Sequence, residues 1–152
     1  MLKSISRKIS SDDVGFYQSY KSIDLSGKSL SIILDFILAN SKSNLNSYWL
    51  GRIDYSEAWK LQKVIQENVI NKKINDVILF LEHDSVYTLG KNADLNNLLP
   101  VRPKGIDVIQ TDRGGEITYH GPGQLVGYPI IDLKKYRRSI TWFMRSLEQS
   151  II

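Results

Sequence analysis

The unbroken apolar run Val77–Leu81 leaves no place for a polar face and reads as a buried strand, which fixes the centre of the fold. Before it, Ala58, Leu61, Ile65 and Val69 recur three or four residues apart, with Trp59 and Val64 beside them. That spacing predicts a helix from Asp54 or Ser56 to about Lys72. Lys72 and Lys73 would fall in its last turn, where positive charge suits the helix dipole. Tyr48–Ile53 reads as a strand ahead of the helix, and Val86–Leu89 as a short strand closed by Gly90. Asn92 to Gly105 contains Pro100 and Pro103 and reads as a loop. Asp107–Gln110, Glu116–His120 and Gln124–Leu133 read as three more strands. Ser139 or Thr141 starts a final helix with Ile140, Phe143, Met144, Leu147 and Ile151 on its apolar face. This order predicts an α/β domain, an α+β mixed sheet with flanking helices, in which several strands are neighbours in sequence.

At 152 residues and 42% hydrophobic, the chain suits one compact domain and is not a disordered tail. Lys+Arg 20 against Asp+Glu 16 leaves a net charge of +4, which permits an acidic partner and does not imply nucleic acid. The absence of cysteine excludes disulfides, thiolate zinc sites and a cysteine nucleophile within these residues. A membrane span needs roughly 20 uncharged apolar residues. The longest candidate, Leu30–Ala39, is short and broken by Asp35, so no membrane partner is expected.

Residues 1–11 carry Lys3, Arg7 and Lys8, several serines and no acid, with Leu2, Ile5 and Ile9 at helical spacing. That pattern suits an organelle import peptide, with an ordinary ragged terminus as the alternative, and favours an organelle over the cytoplasm; a mitochondrial location is expected, with another organelle or the cytoplasm as alternatives. From Asp12 to Asn46 the chain is rich in Ser, Lys and Asn around the apolar block Leu30–Leu38, which reads as a short docking helix or part of a leader. The domain boundary is placed near Tyr48, with residues 1–47 an extension and 48–152 the domain. The last helix has no Gly, Asn or Pro to close it and ends on Ile151-Ile152, which predicts a domain incomplete at its C-terminal side.

Thr111-Asp112-Arg113-Gly114-Gly115-Glu116-Ile117-Thr118-Tyr119-His120-Gly121-Pro122-Gly123-Gln124 is the segment that points to chemistry. Gly114-Gly115 lets backbone amides approach a ligand, and Arg113 offers a fork of donors for a carboxylate, phosphate or carbonyl. Pro122-Gly123 fits the centre of a type II turn across Gly121–Gln124. Strand alternation puts Ile117 and Tyr119 on one face, with Glu116, Thr118 and His120 on the other. Taken singly, an Arg-Gly-Gly is a loop, Gly-Pro-Gly a turn and one histidine scaffolding. His83 and His120 alone support no metal site. Their contiguity is what no propensity explains.

The segment resembles the signature of the lipoyl(octanoyl) transferases. The resemblance extends to Leu50-Gly51-Arg52-Ile53-Asp54-Tyr55, Glu82-His83, Val86–Gly90 and Tyr128–Leu133, and so runs from Tyr48 to the chain end. Lipoate ligases share an Arg and glycines here without the Tyr-His-Gly-Pro-Gly-Gln continuation. The resemblance implies the fold of biotin and lipoate protein ligases and no cofactor. It also implies transfer of an octanoyl group from octanoyl-acyl carrier protein to a lysine of a lipoyl domain. The acceptors would be 2-oxoacid dehydrogenase or glycine-cleavage proteins. By the same resemblance Arg113, Gly114, Gly115, Glu116, Ile117, Thr118, Tyr119 and His120 line the acyl pocket, Glu116 through its backbone. His83, Gly121 and Gln124 would support them. The family's catalytic cysteine, and the lysine that favours its thiolate, lie beyond Ile152, so the resemblance implies that residues 1–152 alone are inactive and poorly soluble. An ATP-dependent lipoate or biotin ligase and a non-catalytic module binding an acyl chain or carrier protein are the rival functions. For the latter, Lys134, Lys135, Arg137 and Arg138 are a candidate docking face, though such a cluster between strand and helix is more often a solvated surface.

Overall fold

The computed structural model describes residues 22–98, 101 and 103–151. Its main sheet has the order β1-β2-β3-β7, built from Ser22–Asp24, Leu45–Ile53, Asp76–His83 and Val126–Ile130. β1, β2 and β3 run parallel, and β7 is antiparallel to β3 with Leu79 opposite Tyr128. A second sheet has the order β5-β4-β6, from Asp107–Gln110, Val86–Leu89 and Ile117–His120. β4 pairs parallel with β5 and antiparallel with β6. Parallel neighbours need a crossover, and helices α1 (Leu30–Asn40) and α2 (Tyr55–Ile70) supply the two in the main sheet. The final helix, α3, spans Ile140–Ile151.

The apolar positions picked by period fill one core. Ala58, Leu61, Ile65 and Val69 of α2 pack on Tyr48, Leu50, Val77, Leu79 and Leu81 of the sheet. Ile33 and Ile37 of α1 and Leu25 after β1 belong to the same cluster. The Phe36 ring meets Tyr48 edge-on at 6.4 Å, and Ser41 Oγ lies 2.9 Å from the Tyr48 hydroxyl. Residues 22–47 thus share the core with the rest of the domain, and Tyr48, where the sequence suggested a boundary, sits in the middle of β2. The apolar block Leu30–Leu38 is a core helix. Residues 1–11 lie outside the described residues.

Gly51 adopts φ 72, and a side chain there would press on Ser26, whose Cβ would lie 2.8 Å away. It falls in the bulge between Trp49 and Arg52, which shifts the alternation so that Ile53 again points inward. α2 starts on Asp54, whose side chain accepts the Glu57 amide at 3.0 Å. It ends earlier than its periodicity suggests. Asn71 is the cap, Lys72 turns to φ 57, and Lys72 and Lys73 therefore lie past the helix and not in its last turn. β6 and β7 are shorter than read from sequence, because Glu116 belongs to the preceding loop and Pro122-Gly123 turn the chain before Val126.

In α3 the amide of Trp142 donates to Ser139 Oγ at 3.2 Å, so Ser139 starts the helix as expected. Phe143 and Leu147 are half-buried, while Ile140 and Met144 remain exposed. Within the basic cluster, Lys135 donates to fully buried Asp76 at 2.9 Å and ties the segment before α3 to β3. Lys135 is thereby a structural cation rather than part of a free docking face. No helix among the described residues is long and apolar enough to cross a membrane.

Candidate functional site

Arg113 is where sequence and structure divide most sharply. Its fork is turned on the chain itself: Nη1 donates to Gly114 O at 2.9 Å, and Nη2 lies 2.9 Å from Thr88 O, Thr88 Oγ1 and Glu116 O. The guanidinium staples the loop 113–116 to β4. Gly90 completes the join. A Cβ there would stand 2.1 Å from Gly115 O, so only glycine lets the two backbones touch. Gly90 N donates to Glu116 O at 3.2 Å and Lys91 N to Arg113 O at 2.9 Å. The Glu116 carboxylate also accepts the Asp94 amide at 3.2 Å. Lys63 of α2 donates to Asp112, whose carboxyl that bond holds below its usual range.

The alternation along β6 holds. Tyr119 packs at a tilt against Tyr87, with ring centres 5.2 Å apart, and its hydroxyl lies 3.0 Å from Ser85 Oγ. The Tyr119 ring also covers buried Gly121. Thr118 and His120 face the other way. Tyr119 and His120, adjacent in sequence, therefore serve different surroundings.

His120 enters a cluster that four elements build. Its ring stacks on Tyr55 at the start of α2 (6.0 Å, 15°) and meets His83 of β3 at 5.6 Å. His83 is fully buried, with Nδ1 donating to Ile53 O at 2.9 Å and Nε2 accepting from the Tyr128 hydroxyl at 2.8 Å. Burial pushes the His83 imidazole below its ordinary value and the Tyr128 and Tyr55 hydroxyls above theirs. His83, read as support, is the hub of the cluster. Tyr55, Tyr128 and Thr88 were not singled out as site residues. Their signal in the sequence is the resemblance itself, whose segments Leu50–Tyr55, Val86–Gly90 and Tyr128–Leu133 contain all three.

The His83 shift has a consequence for stability. The imidazole of an unfolded chain takes a proton near pH ~6.5, whereas the folded one resists it. Between the two values the unfolded state binds more protons, so stability rises with pH and is lost on acidification. Urea midpoints measured from about pH 7.5 down to about pH 5 should fall, and the slope should flatten in His83→Asn. An equal slope in both proteins would contradict the buried, neutral assignment.

A groove of ≈ 940 Å³ lies beside the cluster, between Trp59, Gln62 and Val69 of α2 and Tyr128–Ile130 of β7. Lys134 and Arg138 stand at its rim, and none of residues 113–120 lines it. Among the described residues no group of three His, Asp or Glu side chains is placed to hold a metal ion.

A tight glycine-gated loop, a strand ending in histidine and a turn fastened back on it are thus one continuous construction. Residues 54–152, which contain all of it, match the family described as lipoyl protein ligase A/B catalytic domain. The chain belongs to this family. Its mixed α/β architecture is accordingly the biotin/lipoate ligase-like one. The chain is similar to the octanoyltransferase of Gloeobacter violaceus, 48% identical over 103 residues, which cover 67% of this chain and 46% of that protein. It is also similar to the octanoyltransferases of Solibacter usitatus (47% over 107 residues, 68% and 49%) and Flavobacterium johnsoniae (42% over 118 residues, 68% and 51%). The chain spans about half the length of these curated relatives.

Proposed function

We propose that this chain is the N-terminal portion of an octanoyltransferase of lipoate biosynthesis. It would contribute the acyl-binding half of the site, with residues 113–120 lining the pocket. The observation that carries the reading is the intact loop-and-strand unit from Arg113 to Gln124, held by Gly90 and Thr88, in a chain 42–48% identical to three octanoyltransferases. Octanoyl-acyl carrier protein is the donor, and lipoyl domains of 2-oxoacid dehydrogenase or glycine-cleavage proteins are the acceptors. The basic, serine-rich residues 1–11 support a mitochondrial location.

Within this reading the thioester forms on a cysteine, and residues 1–152 contain none. A hydroxyl or water does not take over thioester exchange without a positioned base. Residues 1–152 alone, incubated with octanoyl-acyl carrier protein and examined by intact mass, should therefore gain no covalent octanoyl group. A stable adduct would overturn the division of labour. Reading the messenger beyond the codon for Ile152 completes the test. A downstream cysteine and lysine are expected. A stop codon there would replace the enzyme reading, for this chain, with that of a module binding an acyl chain or carrier protein.

A further inference from the structure

Charge on this chain is nearly balanced in sum and unbalanced in space. Lys42, Lys72, Lys73, Lys134, Arg137 and Arg138 are all exposed, and no ion pair among the described residues engages them. Local contacts gather them at one end of the main sheet, around Asp76 at the start of β3. Asn75 Nδ2 donates to Lys42 O at 2.9 Å, which brings Lys42 beside that end. Lys72 and Lys73 belong to the turn that leads from α2 into β3. The Lys135–Asp76 pair fastens the segment carrying Lys134, Arg137 and Arg138 to the same place, and the Asp132 amide donates to Asp76 Oδ1 at 3.2 Å beside it.

The groove joins this basic end to the histidine cluster. Lys72 on the α2 side and Lys134 and Arg138 on the β7 side line one end of it. Trp59, in the first turns of α2, and Tyr128, which donates to His83, line the other. Val69, Ile70 and Ile130 make the wall between them apolar, and Ile70 is left 69% exposed. Both carboxylates that line the groove are taken, Asp112 by Lys63 and Asp132 by the Lys134 amide at 3.0 Å. β3 spans 8 residues. At about 3.3 Å per residue, its basic start and His83 at its end stand roughly 23 Å apart. Like charges repel, so a merely solvated surface intersperses both signs, which this end of the sheet does not do.

We propose that this basic end docks an acidic carrier protein that presents its acyl group on an extended prosthetic arm, and that the groove is the path of the arm. An acidic helix of the carrier lies across Lys72, Lys134, Arg137 and Arg138, and the phosphodiester joining arm to carrier meets the same cations. The body of such a carrier stays outside the site, so docking surface and reaction centre must stand apart by a distance that the arm spans. A polynucleotide would engage the cations and leave the apolar wall empty, whereas a carrier with an acyl-bearing arm uses both. That the arm delivers an octanoyl thioester rests on the octanoyl-transfer reading. The docking surface does not.

The test titrates fluorescently labelled octanoyl-acyl carrier protein with the full chain. Reversing Lys134→Glu, Arg137→Glu and Arg138→Glu together should weaken binding by about tenfold or more. The difference should vanish near 1 M salt, where the screening length falls to about 3 Å. Octanoyl-pantetheine, which has no carrier body, should bind both proteins alike. Lys28→Glu, Lys60→Glu and Lys104→Glu together, an equal change in net charge elsewhere, should leave carrier binding as it was. Should the first variant fail to fold, Arg137→Gln with Arg138→Gln removes charge without reversing it and should give a smaller loss. The proposal is overturned if charge reversal at 134, 137 and 138 leaves the affinity unchanged or if the control variant loses as much. It is equally overturned if duplex DNA or anionic phospholipid vesicles bind as tightly as the carrier and through the same residues. A chain that binds the carrier through these residues, yet shows no response to octanoyl-pantetheine at Gly114–His120, counts against the functional reading and leaves the docking surface standing. Binding of octanoyl-pantetheine without binding of the carrier does the reverse.

Discussion

A chain beginning at Leu45 is expected to lose its cooperative unfolding transition. Such a chain keeps all of β2 and everything after it, yet it lacks β1 and α1. Leu25, Ile33 and Ile37 are at most 5% exposed in the full structure. Burying each such side chain stabilises by about 1.5–3 kcal/mol, against a total near 5–15 kcal/mol for a domain. Their removal also uncovers Tyr48 and strips β2 of a parallel neighbour, leaving unpaired backbone along its edge. Urea unfolding followed by tryptophan fluorescence reads the result. A sharp transition with an unchanged midpoint would mean that the residues before β2 are an appendage. The milder variant Ile37→Ala should cost about 3 kcal/mol if they are core.

Arg113→Lys is expected to destabilise the chain by about 3 kcal/mol although it conserves the charge. A lysine ammonium is one point on a flexible stem. It does not reach Gly114 O on one side and Thr88 O, Thr88 Oγ1 and Glu116 O on the other. Thr88 is fully buried, so its oxygens would be left without the donor that satisfies them. The loop 113–116 should then detach from β4, and the amides of Gly90 and Lys91 should exchange with solvent as fast as those of a free loop. If Arg113→Lys instead keeps full stability and loses only ligand binding, the side chain serves a substrate oxygen and not the backbone.

The sequence was legible where physics is local. Val77–Leu81 and the period of Ala58, Leu61, Ile65 and Val69 locate the sheet centre and its covering helix, because apolar spacing reports which face is buried. α1 was harder to place because its surroundings are polar. A helix of Leu30, Ile33, Leu34 and Ile37 amid Ser, Lys and Asn looks the same whether it docks on the domain or leaves it. β1 has only three residues and no pattern of its own. At the site, contiguity exposed the Arg113–Gln124 segment, but no rule of sequence says that Arg113 would satisfy Thr88. Nor does one say that Gly90 exists for Gly115, or that His83 and Tyr128, 45 residues apart, would share a hydrogen bond. Those pairings are set by the register of β4 on β6 and β3 on β7.

Residues 113–120 are proposed to receive an octanoyl chain. Octanoyl-pantetheine added to the ¹⁵N-labelled chain, with amide shifts followed across the titration, tests it most directly. Saturable shifts are expected at Gly114–His120, with Tyr128 and His83 responding and ATP producing none. Shifts confined to the groove at Val69, Ile130 and Arg138, or a response at Arg113–Gly115 to ATP and not to the thioester, would contradict it.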